Sequence, residues 1–324
     1  MIVFLTTEPH RYTVQLLVRG EFGAPVPRCA AVSYETLFRA RQAPRATYVF
    51  TDLDRLRPWE LRVAAEFHRD FRTEGLRVLN DPARAMSRLE LLRTLHDRGI
   101  NPFTVYGADT VPRPARFPVF IRDEDDHRTV WDALLPDQAA LDARLEAFRA
   151  EGMPLRGLLV VEWAAEPAAP GVWRKYGTFR IGDSILVDHA VIEDRWLVKY
   201  GTRGLSTEAM QQEEDGIVRG NLLAEAVRPA FEIAGIEWGR ADHGTVGGRE
   251  VVYEINTNPL LGRDTPQRFP ARAAMVAFAR QRFAEHLHRI DSPEGPALAL
   301  PDSPARIKLR QRMAAVESAR KIRP

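Results

Sequence analysis

The sequence holds a single cysteine, Cys29, among 324 residues. That excludes an internal disulfide and a cysteine zinc site. Long apolar runs are missing too: nothing approaches the roughly eighteen residues that a spanning helix needs. Nor is there an excess of one charge, since 46 basic residues face 44 acidic ones and the net charge is +2. A nucleic-acid partner is therefore not called for. There is no internal repeat, and the opening residues MIVFLTTEPH lack the basic flank and apolar stretch of a secretion signal, so a cytoplasmic protein is expected. What is present is ordinary for a soluble enzyme: 45% hydrophobic and 28% charged residues. The length allows a sizeable core and two or three subdomains.

Chemistry concentrates in residues 239–262, GRADHGTVGGREVVYEINTNPLLG. Two alternating runs flank Gly247-Gly248, the signal of a β-hairpin. On the second run Glu254 and Asn256 share a face, and pairing across the glycines brings Asp242 beside them. Two carboxylates and an amide oxygen suit a hard divalent cation such as magnesium. Arg240, two residues before Asp242, projects from the same face.

This stretch resembles the metal-binding core of the ATP-grasp superfamily, with an Arg-x-Asp on one strand and a Glu-x-Asn on the next. The spacing from 242 to 254 is similar to that of the D-alanine–D-alanine ligase branch, and Asn258-Pro259 completes an Asn-x-Asn-Pro ending. The resemblance covers roughly residues 80–290. It implies an α/β (α+β) ATP-grasp fold behind a small N-terminal α/β domain. The expected organisation is an N-terminal domain over 1–80, an ATP-grasp domain over 81–290, and a linker with a basic tail over 291–324.

The N-terminal expectation also has local support. Residues 1–7 and 46–51 read as strands. Pro58 can open a helix with Leu61, Ala64, Ala65, Phe67 and Phe71 on one stripe, Gly75 stops it, and 76–79 reads as the next strand. This is a βαβ unit. The turn at Thr51-Asp52-Leu53-Asp54 is either a ligand site at a strand end or a plain acidic turn.

Further site residues follow from the resemblance alone. Arg88, on a leucine-bearing helix after Asn80-Asp81-Pro82, matches a phosphate-reaching basic residue or is a solvated arginine. Arg122, ending FPVFIR, stands where the family carries a lysine; it keeps the charge and adds a planar fork. Asp125, Asp126 and His127, just beyond it, are taken as a solvated loop. The apolar strand 155–163 resembles the adenine hinge, with Glu162, Trp163, Ala164 and Glu166 as its contacts. Lys175 and Arg180 fall near ligand positions or are strand-face charges, on a hairpin turning at Gly182-Asp183. Lys199 fits a lid lysine ahead of an expected flexible loop over 201–215, and 263–268 is expected to face the acceptor. The tail over 305–324, with seven basic residues against Glu317, is expected to be solvated, with docking on a partner or an anionic membrane left open.

The resemblance implies an ATP-dependent carboxylate–amine (or carboxylate–thiol) ligase using ATP and Mg2+, two ions and Mn2+ being compatible. Asp242, Glu254 and Asn256 would hold the metal, Arg88, Arg122 and Lys199 the phosphates, and Arg240 the transferring phosphoryl group, with acyl phosphate and ADP as first products. Small-molecule or peptide substrates are expected, with a homodimer left open. A phosphotransferase acting on a hydroxyl and a non-catalytic nucleotide-binding protein are the alternatives.

Overall fold

The computed structural model of the chain describes residues 1–125, 130–131, 133–262 and 269–321, apart from the side chains of 316–321. The expected βαβ start is present. Strands β1 (Ile2–Thr6) and β2 (Cys29–Ser33) flank a short helix α1 (Gln15–Arg19). Helix α2 (Tyr34–Arg39), β3 (Gln42–Ala43), β4 (Thr47–Phe50), α3 (Pro58–Thr73) and β5 (Val78–Leu79) follow. The four longer-range partners form a parallel sheet in the order β2-β1-β4-β5. Alternate residues of β1 enter different cores: Val3 and Leu5 pack with Phe67 and Phe71 of α3, whereas Ile2 and Phe4 pack with Trp238 and Phe283. A parallel sheet covered on both faces needs apolar residues at successive positions, and β1 is buried throughout. The turn after β4 is structural: Asp52, at φ 53°, accepts from the Thr7 N–H and hydroxyl.

A second sheet, β6-β8-β7, is antiparallel. It comprises β6 (Val105–Gly107), β7 (Val119–Asp123) and β8 (Leu158–Glu162), with α4 (Arg88–Asp97) before it and α5 (Gln138–Ala150) packed on it. Ser87 caps α4 in a reciprocal box with Glu90, which fixes the orientation of Arg88 at the first helical position.

The third sheet is antiparallel, in the order β11-β10-β12-β13, with β9 (Pro167–Ala169) on β10. Its strands are β10 (Val172–Ile181), β11 (Ser184–Glu193), β12 (Trp238–Val246) and β13 (Arg249–Asn256). Helices α6 (Glu208–Gly220) and α7 (Ala224–Ala234) cover one side, joined there by Met275 and Ala279 of α8 (Pro270–Ile290), whose Phe283 packs on Phe179 and Trp238 of the other face. Both hairpins turn where expected, at Gly182 and at Gly247-Gly248, whose φ of 58° and 74° suit glycine.

Three expectations are corrected. Half of the expected loop over 201–215 is helical, because Thr207 caps α6 and Glu214 turns inward to Arg272 at 3.0 Å. Within the expected linker, β14 (Leu298–Ala299) pairs with β3. The tail does not begin solvated: α9 (Pro304–Lys321) buries Arg306, which reaches Asp70 at 2.8 Å and stacks on Phe67, while Leu309 joins the core beside α2. No described helix is long and apolar enough to cross a membrane.

Asn80 joins the first sheet to the third. Its amide donates to the carbonyls of Phe50 and Trp238 and accepts from the N–H groups of Glu237 and Trp238, all at 2.8–2.9 Å.

Candidate functional site

The register places the hairpin residues as the alternation predicts. Asp242 is opposite Glu254, and Arg240 is opposite Asn256. Directly paired residues project to the same face of a sheet, so these four form a polar patch. Lys175, from β10, reaches it too. The Lys175 ammonium lies 2.8 Å from Asp242 Oδ2, and Arg240 Nε lies 3.3 Å from Oδ1. Glu254 Oε2 accepts from Arg88 at 2.8 Å and from Arg122 at 2.9 Å. Among the described residues, four cations from four elements therefore converge on these two carboxylates.

These groups are poorly solvated, and their ionisation shows it. Burial pushes the Asp242 carboxyl up, but Lys175 and Arg240 outweigh it and hold the group below the usual carboxylate range. Burial lowers the Arg122 guanidinium, and the attraction of Glu254 only partly offsets this. An anionic ligand that entered here would take over charge compensation from carboxylates already present.

Beside the charges lies a cavity of about 250 Å³ with apolar walls. Trp163 and Trp173 meet there edge to face at 5.5 Å, Trp196 leans on Phe120 at 5.2 Å, and Tyr253 stacks on Phe103. Apolar walls with a few convergent polar groups are the usual makeup of a small-molecule site. Lys199 lines the same cavity on a loop pinned by Glu193, whose Oε1 accepts from the N–H groups of Lys199, Tyr200 and Gly201 at 2.8, 2.5 and 2.9 Å.

Not every expected contact faces this cavity through its side chain. Glu162 is fully buried, and its carboxylate accepts from the Thr104, Ala115 and Arg116 N–H groups and from the Tyr106 hydroxyl. Glu162 is among the residues lining the cavity, but in this structure its oxygens are turned to these four protein donors. Glu166 is also displaced: it accepts from the Gly247 N–H at the far hairpin turn, outside the cavity. Trp163 and Ala164 do line the cavity, with the Trp163 N–H given to Pro118 and the Ala164 carbonyl accepting from Tyr253 at 3.4 Å. Arg180 turns to the carbonyl of Gly182 and is absent from the site. Asp125 is exposed, whereas Asp126, His127 and the segment 263–268 lie outside the described residues.

The donor set fits a hard cation in kind but not in number. Asp242, Glu254 and the Asn256 amide supply only oxygen, as magnesium prefers, yet fewer than the six ligands it takes. Among the described residues no group of three His, Cys, Asp or Glu could hold a metal alone. A ligand bringing its own oxygens would complete the set.

A second cavity, about 1050 Å³, adjoins the first and shares Arg240 and His189 with it. Its walls include Phe22, Phe179, Phe283 and Arg272. His189, Gly177 and the tryptophans Trp173 and Trp196 went unnoticed in the sequence. A glycine inside an otherwise alternating strand is the one local signal that pointed here.

No protein-family model matches the chain, and no curated protein does. Solved structures do. D-alanine–D-alanine ligase from Bacillus anthracis, complexed with ATP, is similar at 12% identity over 89% of this chain and 97% of that one, with a TM-score of 0.47. A RimK domain ATP-grasp protein from Sphaerobacter thermophilus is similar at 16% identity over 88% and 99%, with a TM-score of 0.44. The ATP-grasp ligase PsnB, complexed with a phosphomimetic variant of a minimal precursor, magnesium and ADP, is similar at 14% identity over 89% and 96%, with a TM-score of 0.47. These are likenesses of fold between distant sequences.

Proposed function

We propose that this chain is an ATP-dependent ligase that joins a carboxylate to an amine through an acyl phosphate. The observation that carries the reading is the pairing of Arg240 and Asp242 with Asn256 and Glu254, over which Arg88, Arg122 and Lys175 converge beside an aromatic cavity. An adenine ring suits the walls formed by Trp163, Tyr253 and Phe103, and a triphosphate suits the four converging cations. Arg88 and Arg122 can turn from Glu254 to phosphate oxygens, since guanidinium groups grip both anions in the same forked geometry. Asp242, Glu254 and Asn256 would then be released to hold magnesium, which supplies charge neutralisation at the β- and γ-phosphates when bound. Arg240, between the two cavities, stabilises charge as the γ-phosphoryl group passes to the substrate carboxylate. Positioning and electrostatics do the work, and no covalent enzyme intermediate is required.

Calorimetry with ATP, with and without magnesium, tests the site on wild type and Glu254→Ala. Magnesium-dependent binding in wild type and its loss in the variant are expected. If wild type binds ATP under neither condition, the proposal fails. Amide formation is then checked by requiring both an acid and an amine for release of ADP and phosphate.

A further inference from the structure

Across the third sheet one row of paired residues runs His189, Gly177, Asp242, Glu254. Gly177 is the partner of His189 on one side and of Asp242 on the other, and Asp242 pairs with Glu254. His189 therefore shares a face with the two carboxylates of the candidate site, two strand spacings, or about 10 Å, from the Asp242 backbone. The intervening residue has no side chain. A Cβ on Gly177 would lie 2.7 Å from His189 Cε1, 3.1 Å from Nε2 and 3.2 Å from Arg240 Cδ. The Cε1–Nε2 edge of the imidazole thus occupies the space above the glycine, next to Arg240.

The other nitrogen is held by a neighbour that a regular strand would turn away. Gly177 pairs with His189 but Thr178 pairs with Val187, so Asp188 is an extra residue and β11 is bulged there. The bulge brings adjacent side chains together, with His189 Nδ1 2.7 Å from Asp188 Oδ2. Burial pushes the Asp188 carboxyl up, but His189, Arg240 and Arg282 prevail and keep it ionised. An ionised carboxylate accepts a hydrogen bond, so Nδ1 carries the proton and Nε2 is the basic nitrogen. Among the described residues, the charged groups beside the Asp188–His189 pair include Arg240 from β12 and Arg282 from α8. His189 and Arg240 line both cavities, standing where a nucleotide in one would meet an acceptor in the other.

We infer that His189, oriented by Asp188, is the proton acceptor for the incoming nucleophile. The assignment rests on the ligase reading above. The amine lone pair forms the C–N bond at the acyl phosphate carbon while the N–H proton passes to Nε2. The tetrahedral adduct then collapses, the C–O bond to phosphate breaks with its electron pair, and orthophosphate leaves. The imidazolium returns its proton to solvent. Arg240, beside the ring, stabilises the oxyanion without competing for the proton, since a guanidinium remains charged.

Histidine-labelled full-length protein is examined by nitrogen NMR with the magnesium complex of AMP-PNP as probe, the His189→Gln spectrum assigning the signal. The expected result is an Nδ1-protonated tautomer in wild type, a signal that moves when the analogue binds, and mixed tautomers in Asp188→Asn. Both variants are expected to bind the analogue within about twofold of wild type, because neither residue holds it. With magnesium, ADP and acetyl phosphate as a generic acyl phosphate, His189→Gln should slow aminolysis by methylamine about a hundredfold. Hydroxylamine, which attacks without help from a base, should lose far less. An Nε2-protonated tautomer, a signal unmoved by analogue that calorimetry shows bound, or equal losses with the two amines overturns the assignment. Absence of analogue binding to wild type removes the ligase reading itself.

Discussion

The antiparallel sheet carries two histidine–carboxylate pairs on opposite faces. On the site face His189 meets Asp188 through one nitrogen. On the other face His243 is wholly buried, with Nδ1 2.5 Å from Glu250 and Nε2 2.8 Å from the Thr178 hydroxyl. Both pairs adjoin a shift of strand register. The difference is in the second nitrogen. His243 spends both and stacks on Tyr176, which makes it a rigid joint between strands. Among the described residues His189 hydrogen-bonds only Asp188, and its second nitrogen is left to what enters the cavities. Identical chemistry is thus structural on one face and reactive on the other.

The largest effect is expected where the closed pair is broken. His243→Ala strands the Glu250 carboxylate inside the sheet and should cost about 3–5 kcal/mol, as for a buried pair that loses one partner. Urea unfolding checks this, with His189→Gln as the control that should lose far less. Equal losses would erase the contrast between faces. Gly177→Ala comes next. It forces His189 and Arg240 aside, with an overpacking cost of about 1–3 kcal/mol. ADP-forming activity should fall further than stability accounts for, because displacement of about 1 Å in reacting groups can cost a hundredfold. Melting curves measured beside single-turnover rates separate the two effects.

The smallest effect should come from the loop edge. Burial pushes the Glu193 carboxyl up, but the N–H groups of Tyr200, Lys199 and Gly201 and the Arg195 side chain outweigh it and bring it to about 2 from 4.5. A carboxyl depressed on folding stabilises fully above the unfolded value and ceases to do so as pH falls through the folded one. Proteolytic protection of residues 199–204 should therefore hold at neutral pH and weaken as pH falls below about 4.5. Glu193→Gln should cleave faster at neutral pH and lose that pH dependence.

The metal-type triad was legible because hairpins announce themselves locally. A glycine pair marks the turn, and period-two alternation then fixes which of Asp242, Glu254 and Asn256 share a face. Arg88 and Arg122 came from resemblance, since nothing local says that two arginines 34 positions apart converge on Glu254. Glu162 misled for a related reason: its strand position was right, but only the tertiary structure shows its oxygens turned to four donors. His189 was hidden because a bulge alters strand parity, so neither its face nor its contact with Asp188 follows from alternation. The same holds for Arg306, whose partners Glu66 and Asp70 lie on a helix more than two hundred residues earlier.

Asn80 has a mechanical consequence. An amide side chain offers two donors and two acceptor lone pairs, and all four are engaged: one with Phe50 inside the parallel sheet and three with Glu237 and Trp238 across the seam to the antiparallel sheet. Sliding one sheet along the other would break the three crossing bonds together, whereas a tilt of the three-stranded sheet leaves every one intact. The seam acts as a rivet, so a shift of β7 and the Arg122 it carries would not disturb it.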